Sequence, residues 1–174
     1  YGVTPNFIDF PGTVSLQLTT YVALIRDILE SLYRAGFRRL VVVNGHGGNG
    51  PFATFFAEWM GERRDACVKF HEWWKAPRTW DKVMAIDPAA SHASWMENFP
   101  WTRLAGVALP AESKPALDRD RFALENPAGR RRMLGDGNFH GLYQRPDAEM
   151  LALWEVAVAE TRTVIADGWR TAAN

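Results

Sequence analysis

The feature that most constrains the fold is a short apolar run that ends at a glycine-rich turn. Residues 40–43 are Leu-Val-Val-Val, and Asn44-Gly45-His46-Gly47-Gly48-Asn49 follows at once. A continuous apolar run, unlike an alternating one, is typical of a parallel strand that is covered on both faces. The turn then lies at the carboxyl end of that strand, where open parallel α/β sheets bind their ligands.

The segments around this strand predict an α/β arrangement. A helix that ends near Gly36 is indicated by apolar residues at steps of three and four: Leu18, Tyr21, Val22, Ile25, Ile28, Leu29 and Leu32. Pro51 suits the start of a second helix that continues to about Arg64, and residues 66–71 read as the next strand. This order predicts a parallel sheet flanked by helices, with the strand that ends at Val43 near its centre.

The second half of the chain is less regular. An aromatic-rich stretch, residues 73–101, contains His92 and Glu97. Residues 110–147 are rich in charge, proline and glycine, so they are predicted to form a long surface loop, with Arg130-Arg131-Arg132 exposed to solvent. A final helix over residues 147–168 is predicted to bury one stripe: Met150, Trp154, Val158, Thr161 and Ile165.

Composition narrows the class of protein. The 174 residues fit a single domain over 1–174, and 20 basic against 20 acidic residues give no reason to expect a nucleic-acid or anionic-membrane partner. The one cysteine, Cys67, cannot form an internal disulfide, and no apolar run reaches the roughly 18 residues of a membrane span. We expect a soluble, cytoplasmic protein. The start at Tyr1 rather than methionine predicts truncation of a longer parent.

His46 is the first candidate site residue. Its glycine neighbours let other groups approach the ring, which suits a metal or substrate ligand, although the glycines could serve only to make the turn. The same letters also spell G-x-G-x-x-G with Glu72 about twenty residues on, the pattern of a dinucleotide-binding loop. Pro51 is expected to keep Gly50 out of the helical region, which disfavours that alternative.

His92 and Glu97 form the second candidate pair. Five residues on a regular helix span about 500°, so the two side chains would point about 140° apart. They converge only if His92 precedes a helix and Glu97 lies in its first turn. Taken alone, the pair reads more simply as an exposed histidine and a solvated glutamate.

Three ordered blocks resemble the creatininase family of metal-dependent amidohydrolases. The blocks are Phe-Pro-Gly-Thr-Val-Ser-Leu at 10–16, the segment from Gly36 to Asn49, and His92-Ala93-x-x-x-Glu97; Gly135-Asp136-Gly137 is similar to a weaker fourth. The resemblance implies a three-layer α/β fold with a mostly parallel sheet. It also implies hydrolysis of a cyclic amide, formamide or peptide bond by a water activated by two metals, usually zinc with manganese or iron. Members often assemble into hexamers.

The resemblance assigns roles position by position. His46 and Glu97 match metal ligands, and His92 matches the histidine proposed for proton transfer. Asn44 and Asn49 are expected to orient the loop by hydrogen bonds to its backbone. We therefore predict that His46, His92 and Glu97 meet in one cleft.

This chain also departs from the family. Nothing here corresponds to the family's first block, Glu-x-His followed by Asp, which supplies three ligands, and Asp9 stands in the wrong place to replace it. Two ligands cannot hold two ions tightly. Either the chain is truncated or it is a degenerate relative, and the alternative function is a non-catalytic α/β binding or assembly module.

Overall fold

The computed structural model describes residues 2–169. Their helices and strands follow in the order α1 Leu18–Arg34, β1 Arg39–Asn44, α2 Phe52–Glu62, β2 Cys67–Glu72, α3 Pro77–Ile86, α4 Arg119–Leu124, α5 Pro127–Leu134 and α6 Asp147–Ala166. No helix among these residues is both long and apolar enough to span a bilayer.

The chain forms two compact units. The first takes in the described parts of Tyr1–Pro5, Val14–Ala76 and Ala159–Asn174. The second takes in Asn6–Thr13 and Pro77–Val158.

The sheet of the first unit confirms the predicted parallel pairing. β1 and β2 run parallel, with Arg39 opposite Cys67 and Asn44 opposite Glu72. The carboxyl ends of both strands therefore lie at the same end of the sheet. The helix–strand–helix–strand order and the α/β class predicted from the sequence are both present.

The predicted central position of β1 is wrong for the part of the chain that the structure describes. The sheet there has two strands, so β1 lies at an edge, and 50% of the Val43 surface is exposed. The reason is that an apolar run predicts only how the two faces of a strand are covered, not which strands pair with its edges. Pairing along its edges is made by backbone groups, which the side-chain pattern does not record.

The core of the first unit lies between the sheet and the helices α1 and α2. Its buried members are Leu29, Leu40, Phe52, Phe55, Phe56, Trp59, Ala66 and Val68. From α1, Tyr21, Val22, Ile25 and Leu32 also pack against this cluster. Leu18 and Ile28 remain about half exposed, so the predicted apolar face was drawn too wide.

The second unit contains helices where a loop was predicted. Asp118 caps α4 by accepting a hydrogen bond from the Arg121 amide (3.0 Å), and Asn126 caps α5 in the same way from the Gly129 amide (2.9 Å). Such caps satisfy amides that the first turn of a helix leaves unpaired. The loop prediction for 110–147 rested on average composition, whereas the start of a helix depends on a single capping residue. The prediction is therefore wrong over α4 and α5.

Helix α6 buries a different stripe from the one predicted. Its buried positions are Met150, Leu153, Ala157 and Glu160, whereas Trp154 and Ile165 are exposed. A step of four residues advances 400° around a helix, so each such step moves about 40° away from the starting side. The predicted stripe has two of these steps in a row and leaves the buried side, whereas the buried positions alternate steps of three and four and stay on it.

Candidate active site

The glycine loop after β1 is folded by a buried asparagine. Asn44, 3% exposed, accepts hydrogen bonds through Oδ1 from the His46 amide (3.2 Å) and from Asn49 Nδ2 (3.1 Å). Its own Nδ2 donates to the His46 carbonyl (2.8 Å). Asn44 and Asn49 therefore orient the loop, as expected, and the chain continues through a 3₁₀ turn at Gly47–Asn49.

The His46 ring is held by a backbone carbonyl. Its Nε2 lies 3.0 Å from the Val3 oxygen, and the Val3 amide in turn donates to Asn49 Oδ1 (3.1 Å). Because a carbonyl can only accept, Nε2 is the donor, and the neutral form of the ring then has its lone pair on Nδ1. Metal-binding histidines are typically held through the other ring nitrogen in this way.

His46 lines a cleft of about 430 Å³ together with Tyr21, Val42 and Asn44. The cleft lies at the carboxyl end of β1, where the sequence predicted a ligand site. Pro51 does not keep Gly50 out of the helical region, because Gly50 has φ −50° and ψ −38°. The prediction that disfavoured a dinucleotide-binding loop is therefore wrong at this residue. The bias of a residue before proline against this conformation is a preference, and the preceding 3₁₀ turn overrides it.

His92 and Glu97 converge by the route that helix geometry allowed. His92 precedes a 3₁₀ turn at Trp95–Glu97, and Glu97 ends it. Glu97 Oε1 lies 3.6 Å from His92 Nδ1 and accepts a 2.9 Å hydrogen bond from the Ala93 amide. Ala93 has φ +54°, a left-handed conformation that is costly for alanine and is often found at functional sites.

The weak fourth block supports this turn. Asn138, 2% exposed, accepts hydrogen bonds through Oδ1 from the His140 amide (3.0 Å) and from Ser91 Oγ (3.4 Å). The Phe139 amide donates to the His92 carbonyl (3.2 Å). The segment after Gly135-Asp136-Gly137 thus fixes the backbone on which His92 stands.

Asp136 and Tyr143 form a coupled pair beside this turn. The Tyr143 hydroxyl donates to Asp136 Oδ2 (2.7 Å), while Oδ1 receives Lys114 and the Asn138 amide (3.1 Å). Burial alone would raise the pKa of Asp136, but the hydrogen bonds from Lys114, Tyr143 and Asn138 lower it below its ordinary value. Burial and then the hydrogen bond to Asp136 raise the pKa of Tyr143 to about 12. The carboxylate is therefore ionised and the phenol protonated at neutral pH.

The second unit contains a cleft of about 460 Å³ beside these groups. Glu97, Asn98, Asp136 and Tyr143 all line it. Sequence reasoning missed Asn98 and Tyr143 as site residues, and Asp136 appeared only within the weak fourth block. The signal for Asp136 was its place between two glycines.

The predicted site residues are distributed over both units. The second unit brings His92 and Glu97 together, whereas His46 belongs to the first unit. That all three meet in one cleft stays a prediction.

The donor set does not by itself fit a metal centre. Within residues 2–169 no group of three or more His, Cys, Asp or Glu side chains lies close enough to hold a metal ion. Catalytic zinc ordinarily needs three protein ligands. His46 Nδ1 and Glu97 are candidate donors, but no reaction step can be derived through a metal from these residues.

Comparison with known proteins identifies the class to which this α/β chain belongs. The family model for creatininase, described as creatinine amidohydrolase, matches residues 1–164. The chain therefore belongs to the creatininase family, as the sequence blocks predicted. Membership also supports the predicted hydrolase.

One curated relative and two solved structures agree with this placement. The chain is 49% identical over 43 residues to creatinine amidohydrolase of Pseudomonas putida, a match that spans 25% of this chain and only 16% of that protein. A mutant creatininase of the Zn–Zn type has a TM-score of 0.67 and 21% identity, over 96% of this chain and 74% of that one. A candidate creatinine amidohydrolase from Bacteroides fragilis gives 0.57 and 16%, over 93% and 68%. These likenesses confirm the creatininase-like fold.

Gly48→Ala is expected to release the His46 ring. A Cβ at Gly48 would collide with the Val3 carbonyl and lie 2.5 Å from His46 Nε2, whereas a Cβ at Gly47 has nothing within 4 Å. Long-range ¹H–¹⁵N NMR spectra should show the Nε2–H form of His46 in the wild type and in Gly47→Ala. They should show loss of that form in Gly48→Ala. An unchanged His46 tautomer in Gly48→Ala would contradict the contact with Val3.

Asp136→Asn is expected to destabilise the protein in a pH-dependent way. A carboxyl group whose pKa is lowered on folding stabilises the fold at pH values above its ordinary pKa, which is 3.8 for this residue type. This stabilisation is lost as the pH falls through the lower pKa of the folded state. The difference in unfolding free energy between wild type and Asp136→Asn should thus be largest above pH 4 and shrink below it. Urea unfolding from pH 7 to pH 3 measures it. Asp81→Asn, on the exposed face of α3, is the control and should give no such trend.

Proposed function

We propose that this protein is an amidohydrolase of the creatininase type, which cleaves a C–N amide bond in a small molecule of the cyclic amide, formamide or peptide kind. The observation that carries the proposal is the His92–Glu97 pair at 3.6 Å beside an open cleft, in a chain of this family. A cytoplasmic location and a homo-oligomeric, hexameric assembly belong to the same proposal.

In this proposal His92 moves the proton. Its Nδ1 faces Glu97 Oε1, so the carboxylate favours the tautomer with hydrogen on Nδ1. In that tautomer Nε2 is the base: it takes a proton from the water that adds to the amide carbonyl. The imidazolium so formed gives this proton to the amide nitrogen as the C–N bond breaks, so that a neutral amine and a carboxylic acid leave. A positioned general acid or base of this kind contributes about 10²- to 10⁴-fold in rate.

We further propose that His46 and Glu97 are each ligands for divalent metal ions. The support is the Nδ1 lone pair of His46, the acidic side chain of Glu97 on its cleft, and the Zn–Zn type of the structural relative. Zinc, with manganese or iron as alternatives, is the ion proposed. Because the described donors do not make a set of three, every step above is assigned to the side chains alone.

The second candidate function is a non-catalytic binding or assembly module. The missing three-ligand group within the described residues favours it. Metal content and turnover separate the two functions when they are measured on a form that also carries the family's Glu-x-His block.

The first test is metal binding by this 174-residue chain. We expect weak binding of Zn²⁺ or Mn²⁺ and no amide turnover, since each ion would have fewer than three protein ligands. Calorimetric titration with elemental analysis measures the stoichiometry. Tight binding of two ions per chain would show that the ligands are wrongly assigned.

The second test concerns His92 in a form of the protein that turns over an amide. His92→Gln should lower kcat by about 10²- to 10⁴-fold and leave the metal content unchanged. His140→Gln, which changes a half-buried histidine of the same unit, is the control and should retain the wild-type rate. Full activity in His92→Gln would remove the proton-transfer assignment.

A further inference from the structure

The His92 ring packs against two phenyl rings that also contact each other. The ring centroids of Phe7 and Phe139 are each 5.1 Å from the imidazole centroid, Phe7 tilted at 38° and Phe139 nearly perpendicular at 68°. The two phenyl rings lie 6.2 Å from each other. We call Phe7 and Phe139 the aromatic clamp.

The first ring of the clamp is held by an arginine that is distant in sequence. Arg130 Nη1 donates to Asn6 Oδ1 (2.8 Å), next to Phe7 and 124 positions away. The same guanidinium donates through Nε and Nη2 to the carbonyls of Phe122 (3.2 Å) and Ala123 (3.0 Å), at the end of α4. Arg130 therefore ties the segment that carries Phe7 to a helix of the same unit.

The second ring of the clamp is reached by the same arginine. Phe139 packs edge-on against Phe122, with centroids 5.4 Å apart. The Arg130 guanidinium lies 5.4 Å from the Phe122 centroid, within the range of a cation–π contact. Arg130 is thus linked to Phe7 through Asn6 and to Phe139 through Phe122.

The contact with Glu97 does not by itself restrict the rotation of the His92 ring. The Glu97 side chain is 43% exposed and its oxygen is 3.6 Å from His92 Nδ1, beyond a normal hydrogen bond. Such a contact does little to stop rotation of the imidazole. Rings packed against the imidazole restrict that rotation through shape, at no cost in hydrogen-bonding groups.

We propose that Arg130 is a positioning residue for His92, and that it acts through the aromatic clamp of Phe7 and Phe139. The task of the held ring, proton transfer, rests on the proposed function. The clamp itself does not, because the orientation of the His92 ring can be measured without any turnover.

The neighbouring arginines supply a matched control. Arg131 also holds this segment, since its Nη1 donates to the Asp9 carbonyl (2.7 Å). Arg132 is exposed on the same helix, and we see no hydrogen bond or ion pair from it to any residue in 2–169. Arg132→Met therefore removes the same charge as Arg130→Met without touching the clamp.

The experiment is NMR of the imidazole carbon-bound protons of His92, assigned with His92→Gln. Arg130→Met and Phe7→Leu should both shift these signals away from their wild-type positions, because the ring currents of the clamp change. Phe7→Tyr and Arg132→Met should keep them. In a form that turns over an amide, Arg130→Met should lower kcat by about tenfold to a hundredfold at unchanged KM.

The outcomes separate the clamp from the function. Wild-type His92 signals in folded Arg130→Met overturn the proposal, whatever the activity. If Arg130→Met does not fold, wild-type signals in Phe7→Leu overturn the aromatic clamp itself. In a form that turns over an amide, a wild-type rate in His92→Gln refutes the proposed role of His92 alone, while shifted His92 signals in Arg130→Met still support the clamp.

Discussion

The first candidate site depends on one buried amide. Asn44 ends β1, and its side chain must satisfy both a donor and an acceptor away from water, because an unpaired buried polar group is costly. It does so only when the chain turns back at His46 and when Asn49 points inward. Asn49 then holds Val3, whose carbonyl fixes the ring of His46. The glycine residues make this path sterically possible, since a side chain at Gly48 would collide with Val3.

The second unit uses a buried asparagine in a similar way. Asn138 joins Ser91 to the backbone at His140 and Gly141, so two segments that lie more than forty residues apart form one support for His92. His92 is thereby attached to a backbone held by hydrogen bonds, while Glu97 faces an open cleft. This combination of a rigid support and an accessible reactive edge is what acid–base chemistry on a small molecule requires.

Membership in the creatininase family and the geometry around His92 support each other. The family match supports the proposed amide hydrolysis, and the second unit brings His92 Nδ1 within 3.6 Å of Glu97 Oε1. The two phenyl rings that pack against His92 are apolar, so they contact the imidazole without competing for its proton. Arg130 extends this support to residues that contact neither Glu97 nor the cleft directly.

The sequence by itself determined the features that follow from local periodicity. The apolar spacing of α1 and the continuous run of β1 were readable from residues close together, and so was the short turn that His92 and Glu97 would need in order to converge. Composition could not reveal α4 and α5, because single side chains such as Asp118 and Asn126 decide where those helices begin. Only the tertiary structure decided that β1 lies at an edge of the described sheet and that Arg130 holds Asn6. The position of β1 depends on backbone pairing, and the contact of Arg130 with Asn6 joins residues 124 positions apart. Neither produces a periodic pattern in the sequence.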